Sequence, residues 1–186
     1  MPTFTKNAIR ETFIELLKKK SIDKITVKDI VEECGINRNT FYYYYADIYE
    51  LMEDVIITEK DKVLKEVGEG TNFYDEYMRS ADLVINFRSA ILHLYHSKSR
   101  DTVVEYLQDV VNNFVEKFVR KAANEYDLCD SDIRYITLFY SYSIVGSTIE
   151  WIKGGMQDVQ DQFIKDISAS FDATIEDMIK ERMNKK

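Results

Sequence analysis

A glycine divides the stretch from Ile25 to Leu51, ITVKDIVEECGINRNTFYYYYADIYEL, and the residues around it leave the backbone few options. Thr26 and Asp29 have capping-box spacing, and Ile25 and Ile30 stand where a hydrophobic staple would, so a helix is predicted to begin at Val27. Val27, Ile30, Val31 and Cys34 follow at i, i+3, i+4 and i+7 and form its inward face. Gly35 supplies the permissive backbone of a turn. Asn37 then caps a second helix, with Ile36 and Phe41 as its staple. Asp47, followed by Glu50, starts a third. Short helix, glycine turn, short helix and a further helix start together predict a helix-turn-helix.

The second of these helices is polar and aromatic. Phe41 and Tyr45, at i and i+4, face inward and leave Arg38, Asn39, Thr40, Tyr42, Tyr43 and Tyr44 on the other sides. A tyrosine run can simply cover a core. In a helix-turn-helix, however, Arg pairs with guanine, Asn with adenine, and Thr or an aromatic ring meets the thymine methyl, while hydroxyls reach phosphate oxygens. The expected DNA-binding residues are Thr26, Val27, Lys28, Arg38, Asn39, Thr40, Tyr42, Tyr43 and Tyr44.

The run TVKDIVEECGINRNTFYYYY, preceded by an amphipathic helix and followed by DIYEL, resembles the DNA-binding domain of the TetR/AcrR family of transcriptional regulators over about the first quarter of the chain. The resemblance implies an all-α fold: an N-terminal three-helix helix-turn-helix domain at 1–47, and a helical ligand-binding and dimerisation domain at 48–186. It implies a homodimer that binds a palindromic double-stranded operator and responds to a small-molecule effector, more often as a repressor than as an activator. One position departs from the family pattern. Where the family often places a phosphate-contacting Lys at the start of the fourth helix, this chain has Ile48. The segment Trp151 to Gly155, WIKGG, is similar to the C-terminal half of a subgroup that includes the dihydroxyacetone-kinase operon activator.

Charge is unevenly spread along the 186 residues. The net charge of −8 argues against generic polyanion binding, yet residues 1–28 carry seven Lys or Arg against three acids. A basic head on an acidic body suits a DNA reader joined to a sensor domain. Part of that head, Lys18 to Lys20, also complements a helix dipole. The sequence has no apolar run long enough to span a bilayer and no signal-peptide core at its N-terminus, so a cytoplasmic protein is expected. Cys34 reads as a buried small hydrophobe and Cys129 as the more exposed thiol, with no disulfide between them.

Further helices are predicted at about 47–67, 74–86, 87–96, 101–126, 131–153 and 160–183, the first of them ended by Gly68 and Gly70. Ile133, Ile136, Tyr140, Ile144 and Trp151 stripe one of the last two, and Ile164, Ile167, Phe171, Ile175 and Met178 the other. Two such hairpins from two chains pack as a four-helix bundle, although either stripe can instead face its own core. His93, Tyr95, Tyr106, Phe114, Phe118, Tyr135, Phe139 and Tyr142 are expected to line an effector cavity. His93 and His96 share a helical face but lack the further ligands that zinc requires, so neither a metal nor a cofactor is expected. No nucleophile elbow, phosphate-binding glycine loop or zinc-protease helix occurs, and the chain is not expected to be an enzyme. A helical DNA- or protein-binding module without a ligand is the alternative.

Overall fold

The computed structural model describes residues 2–66, 72–157 and 161–184, and every regular element among them is helical. In order they are α1 (Pro2–Lys19), a single 3-10 turn (Ile22–Lys24), α2 (Val27–Cys34), α3 (Arg38–Tyr44), α4 (Ile48–Glu66), α5 (Phe73–Asn86), α6 (Arg88–Tyr95), α7 (Arg100–Ala122), α8 (Asp130–Lys153) and α9 (Asp161–Met183). The expected helices are present. Helix α7 stops earlier than the predicted 126, because Asn124 and Tyr126 donate to carbonyls three residues back, at Lys121 and Ala123, and the chain tightens into a turn. Gly68 and Gly70, expected to end α4, lie outside the described residues.

The chain forms two compact units. The first comprises residues 1–61 and 87–103. Its core holds Ile9, Phe13 and Leu17 of α1, Ile30 of α2, Phe41 of α3 and Leu51 of α4, all essentially without solvent contact. Helix α1 packs against both α2 and α6. This unit is larger than the 1–47 segment expected from the sequence, for two reasons. Leu51, Met52 and Val55 bury the first turns of α4 in it, and α6 adds Ala90 and Leu94.

The second unit comprises residues 62–86 and 104–186. Helix α5 packs on α9, as does α8, around an aromatic centre. The Phe73 and Phe171 rings stack with centroids 4.3 Å apart, and Phe114 and Phe118 lie 4.8 and 5.3 Å from Phe73. Tyr140 meets Phe171 edge-on, and its hydroxyl lies 2.6 Å from that of Thr174.

This core corrects the dimer stripe read from the sequence. Ile133, Ile136, Tyr140 and Ile144 are buried inside their own chain, as are Ile164, Phe171 and Ile175, and Ile167 and Met178 pack half-buried against the same cluster. Trp151 is half-buried, with its indole nitrogen enclosed. The opposite side of α8 carries Tyr135, Phe139 and Tyr142, which are 50%, 57% and 62% exposed. The aliphatic stripe therefore closes the core, and the aromatic stripe faces outward.

Phe73→Ala and Phe171→Ala should each cost about 3–5 kcal/mol in urea unfolding. The double variant should lose less than the sum, since each ring loses its stacking partner only once. Strictly additive losses would show that the two rings do not act as a unit.

Candidate nucleic-acid interface

Residues close in sequence set the geometry from α2 to α3. The Thr26 hydroxyl accepts from the Asp29 amide at 3.2 Å, and the Asp29 carboxylate accepts from the Thr26 amide at 2.8 Å, completing the capping box. Lys20 sits 2.9 Å from the same carboxylate. Its hydrogen bond, with those from Thr26, draws the Asp29 carboxyl down from 3.8 to about 2. Gly35 ends α2 at φ 69° and ψ 31°, the left-handed region, and its amide donates to Val31. A Cβ there would meet nothing within 4 Å, so the backbone angle and not space calls for glycine. Asn37 then caps α3, accepting from the Thr40 amide at 2.8 Å.

Helix α3 has seven residues, and two inward anchors, Phe41 within it and Tyr45 at its C-cap, are buried. Arg38 and Asn39 are exposed, and so are Tyr42 and Tyr43, the latter at 79%. Of the other residues expected at a DNA surface, Thr26 and Lys28 are exposed, while Val27, Thr40 and Tyr44 are half-buried. Val27 and Tyr44 pack on the core of this unit, and the Thr40 hydroxyl donates to Asn37. Ile48 also packs on that core. The amides at the start of α4 have their own acceptors: Asp47 takes those of Tyr49 and Glu50 at 2.8 and 2.9 Å, and Glu50 takes that of Ala46.

The basic head is largely neutralised within the chain. Six of its seven cations stand in ion pairs: Lys6 and Arg10 with Asp54, Lys18 with Glu15, Lys19 with Glu33, Lys20 with Asp29 and Lys28 with Glu32. The Lys28 pair is 3.7 Å long and solvent-exposed, which leaves the side chain free to exchange partners. The Asp54 cluster was not anticipated from the sequence. Its one local sign is a tyrosine, Tyr45, at the buried C-cap of α3.

The eight residues expected to line one cavity are divided between the two units. His93 and Tyr95 belong to the first unit, where His93 Nδ1 donates to the Leu17 carbonyl at 2.5 Å near the end of α1 and Tyr95 is buried. Phe114 and Phe118 are in the aromatic core of the second unit, Tyr106 is half-buried, and Tyr135, Phe139 and Tyr142 are exposed. Among the described residues no group of three or more His, Cys, Asp or Glu side chains could hold a metal ion, and no helix is long and apolar enough to cross a membrane. Cys34 is half-buried against the first core, and Cys129 is exposed at the start of α8.

Known proteins resemble both parts of the chain. Residues 9–55 match the sequence model of "Bacterial regulatory proteins, tetR family", and residues 80–173 that of "Transcriptional regulator C-terminal region". An uncharacterised HTH-type transcriptional regulator, YxbF of Bacillus subtilis (strain 168), is 30% identical over 93 residues, which is 50% of this chain but only 23% of that relative's length. The fold is similar to that of the dihydroxyacetone kinase operon activator DhaS, with a TM-score of 0.75 at 17% identity over 92% of this chain and 96% of the other. It is also similar to a tetR-family transcriptional regulator from Streptomyces coelicolor, with a TM-score of 0.67 at 12% identity over 98% and 89%.

The α2 cap makes its stability pH-dependent. Because folding lowers the Asp29 carboxyl, the stabilisation it provides is complete above about pH 4 and is lost as the pH falls toward 2. Thr26→Ala should cost roughly 0.5–2 kcal/mol at neutral pH, and the gap between variant and parent should narrow in that acid window. Thermal melts followed by circular dichroism at pH 7, 4 and 3 check this; a gap independent of pH would remove Asp29 from the cap.

Proposed function

Because the chain belongs to the TetR family of transcriptional regulators, we propose that its α2–turn–α3 unit reads the major groove of an operator, with Arg38, Asn39, Tyr42 and Tyr43 as the reading residues. The observation that carries this is the division of a capped, two-turn helix into two buried anchors, Phe41 and Tyr45, and an exposed set able to pair with base edges. Lys28, exposed in the first turn of α2, takes a phosphate contact, whereas the Thr26 amide and hydroxyl both donate to Asp29. No phosphate contact is assigned to Ile48, whose side chain packs inward.

The operator is read by a homodimer, and the surface that favours a second copy is the outward side of α8. Tyr135, Phe139 and Tyr142 form an exposed aromatic stripe there, and the open helical position Gly146 continues it. Helix α9 exposes small side chains at Ala169, Ser170 and Ala173. Aromatic knobs and small-residue hollows suit close helix packing between chains. We assign repression, the usual sign in the family, with an effector acting through the second unit to change the separation of the two reading helices from the roughly 34–36 Å of one DNA turn.

Arg38→Ala or Asn39→Ala should lose roughly 1–3 kcal/mol for the preferred duplex and relax sequence preference. Lys28→Ala should weaken all duplexes alike and flatten the salt dependence. Anisotropy titrations on selected and scrambled DNA at several salt concentrations distinguish the two. A folded protein with Arg38, Asn39 and Tyr42 all changed to Ala that binds like the parent would overturn the assignment of the reading helix.

Phe139→Glu with Tyr142→Glu should yield a folded monomer, since both side chains lie on the surface of the chain, and its operator affinity should collapse with the loss of the paired half-site contact. Light scattering that still finds a dimer would remove α8 from the interface.

A further inference from the structure

One carboxylate in the first unit accepts four hydrogen bonds. Asp54, in α4, receives Arg10 Nε at 2.6 Å and Nη2 at 2.9 Å, Lys6 Nζ at 3.0 Å and the Tyr45 hydroxyl at 2.5 Å. Both oxygens are engaged, and the donors come from two other places: α1, and the residue at which α3 ends. Tyr45 has extended backbone angles, φ −143° and ψ 133°, so it marks the point where the chain leaves the reading helix. The Lys6 ammonium also lies 5.4 Å from the centre of the Tyr45 ring. Arg10 is the largest influence holding the Asp54 carboxyl well below the usual carboxylate range, while burial, followed by Asp54, pushes the Tyr45 phenol up.

A helix of seven residues cannot fix its own axis. Its N-terminal end is held by Asn37 and the Gly35 turn. At its other end Phe41 and Tyr45 supply packing, but an aromatic ring in an apolar pocket tolerates small rotations that a bidentate base contact does not. A phenol tied at 2.5 Å to a carboxylate that α1 also grips removes that freedom.

We propose that Asp54 is a positioning residue for operator specificity: through the Tyr45 hydroxyl it fixes the C-terminal end of α3 against α1 and α4, and it keeps Lys6 and Arg10 from acting as indiscriminate phosphate contacts. The proposal rests on the operator-reading role of α3. It predicts a signature that loss of fold does not give. Removing the carboxylate charge releases the end of the reading helix and at the same time frees two cations. Sequence-specific binding falls while non-specific binding holds or rises.

The test uses the full-length protein, a duplex that the parent enriches from random-sequence DNA, and a scrambled duplex of the same composition. Asp54→Asn should weaken the enriched duplex at least about fivefold, the low end of what one good bidentate base contact is worth, with scrambled binding unchanged or tighter and a steeper salt dependence. Tyr45→Phe, which keeps the charges and the ring packing, should reduce the same preference without altering the salt slope, and it decides the matter alone if Asp54→Asn does not fold. Parallel losses on both duplexes, or undiminished preference, would overturn the positioning role while the operator reading stands. A parent protein that enriches no sequence at all would overturn the operator reading, and this proposal with it.

Discussion

Neither α2 nor α3 can stand by itself. With eight and seven residues they fall well short of the length at which a helix repays its nucleation cost in water, so the reading surface exists only because other contacts impose it. Caps at Thr26 and Asn37 satisfy the first amides, the left-handed Gly35 sets the angle between the helices, and Ile30, Val31 and Phe41 draw both into the core that α1 also lines. Burial of Phe41 divides α3 into an inner and an outer side. The outer side then carries Arg38, Asn39, Tyr42 and Tyr43, whose exposed side chains the core does not need.

The same division explains what was legible in the sequence. Caps, staples and the glycine turn act over three or four residues, so the spacing of Thr26, Asp29, Gly35 and Asn37 was enough to place α2 and α3. Contacts between distant parts of the chain leave no such spacing. Nothing local pairs Arg10 with Asp54, 44 positions away, or His93 with the Leu17 carbonyl, 76 away. For that reason the first unit extends beyond its motif and includes α6 with His93.

Helix α8 shows a different limit. Periodicity placed the stripe of Ile133, Ile136, Tyr140 and Ile144 on it but not whether that stripe closes the core or meets a partner, because hydrophobic spacing is identical for an inner and an outer face. Side-chain chemistry separates them once the fold is known. Ile133, Ile136 and Ile144 fill the dry interior, and the one phenol among them, Tyr140, has Thr174 as partner. Tyr135 and Tyr142 are half or more exposed, with the Arg182 guanidinium 4.5 Å from the centre of the Tyr135 ring, and such amphipathic aromatic rings suit the proposed contact between copies.

Electrostatics then constrains how this family member meets DNA. Counterion release scales with the number of phosphates a protein neutralises, and six of the seven cations in the N-terminal segment already hold carboxylates of their own chain. The start of α4, where relatives often present a lysine, has instead a packed Ile48 and amides occupied by Asp47 and Glu50. With a net charge of −8, the chain as a whole repels the duplex. On the proposed reading, binding draws on directional contacts more than on bulk attraction, with Arg38 and Asn39 at base edges and tyrosine rings against thymine methyls. Such contacts fall off steeply with misplacement, whereas a lysine near a phosphate does not. A reader of the proposed kind would have little affinity for the wrong sequence, and for the same reason the proposed role of α3 calls for a rigid mounting.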